Sequence, residues 1–108
     1  MFSGGEYDEV ARWLQNFAVA HAKRENLRVE AVVEADGPRE GESYGLRLRL
    51  GEELRPAPPA PPMELPYPEV AQNRGSLAWC SGLAQRVRAL ARELTGAGSG
   101  PLRTAPER

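Results

Sequence analysis

Hydrophobic positions near the start of the chain recur at helical spacing. Val10, Trp13, Leu14, Phe17 and His21 are one, three or four residues apart and share one face, with Ala18 and Ala20 beside them. Asp8, Arg12, Gln15 and Lys23 lie opposite, interrupted only by Val19. This predicts a helix over residues 5–24. Ser3 reads as its N-cap, with Glu6 as the capping-box partner. Asp8 and Glu9 suit the positive end of the helix dipole, and Lys23 and Arg24 the negative end.

The period then changes to two. Leu27, Val29, Ala31, Val33 and Ala35 alternate with Arg28, Glu30, Val32 and Glu34. Tyr44, Leu46, Leu48 and Leu50 alternate with Gly45, Arg47 and Arg49. Residues 36–42 are polar and contain two glycines and a proline, so they read as a hairpin loop. Antiparallel registers that keep apolar opposite apolar set Glu30 against Arg47 or Arg49.

Residues 55–68 are rich in proline. Proline lacks a backbone donor and fixes φ, so neither a helix nor a central strand is expected there. An extended polyproline segment over residues 55–62 would reach ~25 Å, enough to cross a small domain. Residues 63–65 are a candidate edge strand. A last helix is expected over residues 76–95. Cys80, Leu83, Val87, Leu90 and Leu94 form its apolar stripe, beside Ala84 and Ala91, with Gly96 as the stop. Leu48 and Leu90 are expected in the core. Residues 97–108 lack apolar periodicity and read as a disordered, dispensable tail.

These elements predict one small α+β domain over residues 1–96, ordered helix, strand, strand, extended proline-rich segment, helix. An antiparallel hairpin would carry both helices on one face. Two strands make a marginal sheet with open edges, so residues 63–67 or a second copy of the chain are expected to complete it.

Composition narrows the function classes. The 108 residues are 41% hydrophobic and 27% charged, an ordinary globular balance. Lys+Arg is 14 against 15 for Asp+Glu, which argues against bulk neutralisation of phosphates. No apolar run reaches the ~18 residues that span a bilayer, and the acidic start is unlike a secretory signal, so no membrane association is expected. A single cysteine excludes an internal disulfide and fits a reducing, cytoplasmic compartment. Cys80 and His21 are the only soft or imidazole ligands, so neither a metal site nor a cofactor is expected.

No motif specifies a reaction. Cys80 is the one candidate thiol nucleophile and His21 its one candidate base, but both fall on apolar stripes, where packing explains them. The pattern Arg55-x-x-Pro58-x-x-Pro61 has the form of an SH3-domain ligand and also arises by chance in a proline run. Trp13 reads as core. Trp79 and Tyr67 read as interface anchors or as packing against Pro61, Pro62 or Pro66. Arg28, Arg47 and Arg49 on the outer sheet face, with Arg86, Arg88 and Arg92 on the last helix, are candidate nucleic-acid contacts. The element order resembles that of double-stranded-RNA-binding domains, which implies RNA contact. The lysine-rich start of their second helix is replaced here by Gly-Ser-Leu-Ala-Trp-Cys at residues 75–80. The expectation is therefore a non-enzymatic interaction or regulatory module. Its partner is a protein or a second copy, with Trp79, Tyr67, Arg47 and Arg49 near the interface, and nucleic-acid binding is the alternative.

Overall fold

The structure, a computed structural model, describes residues 5–104. The elements run α1 (Gly5–Ala22), β1 (Glu30–Glu34), β2 (Ser43–Leu50), β3 (Glu53–Arg55), β4 (Met63–Pro66), α2 (Tyr67–Asn73) and α3 (Leu77–Thr104). The fold is α+β, with helices packed on an antiparallel sheet. Among the described residues the sheet has four strands rather than the two of a hairpin, and there are three α-helices rather than two. The N-cap expected at Ser3 lies outside the described residues.

β2 is the central strand. β1 pairs with it antiparallel, placing Glu30 opposite Arg49 and Ala31 opposite Leu48. On its other side, β3 pairs over Leu48–Leu50 and β4 over Ser43–Leu46. Arg55 faces Leu48 and Met63 faces Leu46, so β3 and β4 are two halves of one edge strand. The intervening proline segment leaves and re-enters that strand. It does not cross the domain as an extended polyproline helix: the Ala60 amide donates to the Ala57 carbonyl at 2.9 Å, folding the segment into a turn. Residues 63–66 thus complete the sheet as expected.

The β2–β3 link is a tight turn between Leu50 and Glu53, with Gly51 at φ +63. A positive φ at the first central residue is the glycine-favoured geometry of a two-residue hairpin.

The core lies between the inner sheet face and the helices. α1 contributes Tyr7, Val10, Leu14, Ala18 and Ala22, the sheet Ala31, Tyr44, Leu46, Leu48 and Leu65, and α3 Leu83, Val87, Ala91 and Leu94. The buried stripe of α1 is therefore rotated from the expected one. Trp13, Phe17 and His21 lie along its flank and are only half-buried. Leu90 is likewise half-buried and not core. Leu27 precedes β1 and is 78% exposed.

Three tyrosines tie the elements together. Tyr7 stacks on Tyr44 with centroids 4.7 Å apart, and Tyr67 meets both edge-on. The Tyr44 hydroxyl donates to the Tyr7 carbonyl at 2.8 Å, and the Tyr7 hydroxyl donates to the Ser43 carbonyl at 2.5 Å. Burial raises the pKa of both Tyr7 and Tyr44, so both hydroxyls stay protonated donors.

α2 interrupts what reads as linker. Pro68 in its first turn has no amide to leave unsatisfied, Glu69 suits the positive helix end, and Val70 is buried. α3 begins as expected, with the Ser76 hydroxyl accepting from the Trp79 amide at 3.2 Å. It does not stop at Gly96, which keeps a helical backbone, and it continues to Thr104. No helix among the described residues is long and apolar enough to cross a membrane.

Candidate protein-docking groove

α1 and α3 pack side by side, and their outer flanks form a groove. Trp13, Phe17 and His21 recur every four residues, stacking a row of rings along α1. Trp13 and Phe17 centroids are 5.0 Å apart, and Phe17 and His21 4.4 Å. Across the groove, the Trp79 ring lies 6.5 Å from Trp13. Its indole N–H donates to Glu69 Oε2 at 2.8 Å, which fixes the ring from α2. Trp79 is therefore held between α1 and α2 by a ring contact and a hydrogen bond.

The groove continues along Phe17, His21 and Arg24 on one wall and Leu77, Cys80, Ser81, Ala84, Gln85 and Arg88 on the other, enclosing about 500 Å³. Leu77 stands at its rim, 88% exposed. Burial, with the nearby Arg24 and Arg88 charges, lowers the His21 pKa, so the imidazole is neutral at pH 7. Cys80 and His21 share the groove, but the thiol donates to the Arg74 carbonyl at 3.4 Å, with the Asn73 carbonyl at 3.8 Å. That geometry packs the thiol against backbone oxygens.

The basic end is built on Glu25, just past α1. Its carboxylate accepts from Arg88 Nε at 2.8 Å and pairs with Arg92 Nε at 3.5 Å, which holds it below the usual carboxylate range. Arg24 is exposed and has no ion pair among the described residues.

The outer sheet face is different in kind. Arg49 pairs with Glu30, and Arg47 pairs with Glu34 at 3.1 Å while donating to the Pro56 carbonyl at 2.6 Å. Arg39 joins this network by a two-pronged contact to Glu64, at 2.9 and 3.1 Å, and a bond to Glu34 at 3.4 Å. Arg39 and Ser43 together hold Glu64 below the usual carboxylate range. Among the six candidate nucleic-acid arginines, Arg47, Arg49, Arg88 and Arg92 are engaged by carboxylates, and Arg28 and Arg86 have no ion pair among the described residues.

The structure does not gather the expected interface residues. Arg47 and Arg49 lie on central strand β2, on the sheet face away from the helices. Trp79 lies on the helix side, and Tyr67 belongs to the tyrosine cluster. Sequence reasoning missed Leu77, Ser81, Gln85 and Arg24. A signal exists for two of them: Leu77 and Ser81 form, with Ala84 and Arg88, a second row at spacings of three and four beside the apolar stripe. Comparison with protein families, curated proteins and solved structures finds no match to this chain, so its functional reading rests on the geometry of its own surface.

Proposed function

We propose that this chain is a small non-enzymatic protein-interaction module that docks its partner in the groove between α1 and α3. The observation that carries the reading is the exposed Leu77 beside a half-exposed row of aromatic rings. An apolar side chain so exposed gains ~1.5–3 kcal/mol when fully covered, and half-exposed tryptophans anchor protein interfaces well. Nucleic-acid binding has less support, because carboxylates already neutralise most of the arginines that would contact phosphates.

The test is site-specific photo-crosslinking in the native host. A photoreactive residue replaces Leu77 or, as a control, the exposed Glu52 in the β2–β3 turn. A defined protein adduct from position 77 and none from position 52 is expected. No adduct at 77, or the same adducts from both positions, would overturn the reading.

A further inference from the structure

The charges along the groove indicate what kind of partner it takes. Its lining includes Arg24 and Arg88 and no carboxylate. At the Trp79 end Glu69 accepts from the indole, and at the His21 end the acidic group close by is Glu25, shared between Arg88 and Arg92. Three arginines thus face one carboxylate at this end, leaving a local excess of positive charge, while His21 is neutral at pH 7. From Trp13 to His21 the aromatic row covers about two turns of α1, or roughly 12 Å at helical rise. A row of that length matches two turns of a partner helix laid beside it.

We propose that the occupant is an acidic amphipathic helix of a partner protein. Its apolar stripe covers Phe17, Leu77 and Ala84, and carboxylates on its flank meet Arg24 and the positive charge that Arg88 and Arg92 hold in excess of Glu25. A second copy of this chain fits worse, because two symmetric grooves would put the Arg24 and Arg88 of both copies into one interface with no added carboxylate in the lining, and like charges across an interface are costly.

This inference rests on the groove being a docking surface, and the experiment separates the two. Two labelled helical peptides of identical leucine pattern, one with glutamate and one with lysine at every polar position, are titrated against the full chain by fluorescence anisotropy. The glutamate peptide is expected to bind about tenfold more tightly than the lysine peptide, with the difference shrinking as salt rises. R24E, at an exposed position without an ion pair, is expected to remove most of that preference. Equal binding of both peptides, or a preference unchanged in R24E, overturns the acidic partner but leaves the groove. Failure of both peptides to bind overturns the groove as well. Self-association of the chain that the glutamate peptide dissolves would assign the surface to a second copy and also overturn the proposal.

Discussion

At Gly45 the outer sheet face has no room for a side chain. A Cβ there would lie 2.7 Å from Pro62 Cγ and 3.2 Å from Arg39 Cζ, and a proline ring cannot swing aside. Gly45→Ala is expected to cost about 1–3 kcal/mol, as overpacking does, measured by chemical denaturation. A change within error would mean that the loop base is loosely held. His21 gives a pH prediction. Its pKa is lowered in the folded chain, so below 6.5 the unfolded chain binds more protons. Stability should therefore fall as pH drops from 6.5 toward the lowered native value. His21→Gln should flatten that slope between pH 7.5 and 5.5. Glu25, Glu30 and Glu64, all held below 4.5, contribute stability that is lost only at lower pH, so the histidine window stands apart. Residue-level reading of the sequence worked where burial follows polarity, as at Val10, Leu14 and Leu48. It missed Tyr7, which starts the buried stripe three residues before Val10, because the ring is paired through its hydroxyl to distant carbonyls that no local pattern shows.

Among the elements, the strands and the two long helices were legible because each has a clear period. The third strand was hidden by its interruption. Proline at residues 56–62 forbids a continuous ladder, yet the chain re-enters the same edge at Met63. The Arg47 guanidinium donates to the Pro56 carbonyl, and Pro62 packs on Gly45, so both feet of the loop are pinned to the sheet. α2 was hidden for the opposite reason. Prolines that exclude a helix interior are well tolerated in its first turn, which is where Pro68 sits. The register makes a specific prediction. With Arg55 opposite Leu48 and Met63 opposite Leu46, one residue suffices between them. Deleting residues 57–62 should join β3 to β4 without shifting register and keep a cooperative melt within several degrees of the parent. A loss of cooperative folding would show that the loop itself stabilises the sheet.

Over the whole molecule, the expectation of a dimer at an open sheet edge loses its physical basis. β3 and β4 fill one side of β2, and prolines blunt their free edge. On the other side, the Gln15 side chain donates to the Ala31 carbonyl at 3.2 Å, so α1 covers part of the β1 edge. Sedimentation at micromolar concentration should therefore give a monomer, and a dimer that persists on dilution would contradict this. Among the described residues, the groove between α1 and α3 stays uncovered, with Leu77 exposed at its rim. Sequence pattern alone did not mark it, because its walls combine half-buried aromatic rings with polar residues that lie beside the stripes rather than on them. The two tryptophans of the chain, Trp13 and Trp79, both lie on this side, so their indole N–H signals report on it directly. The most direct test of the groove as a docking surface is a 15N correlation spectrum recorded while the leucine–glutamate peptide is added. Both indole signals and the amides of Phe17, Leu77 and Ala84 should move together, while Val32 and Arg47 on the outer sheet face stay in place. Shifts confined to the outer face, or no shift at either indole, would contradict the account.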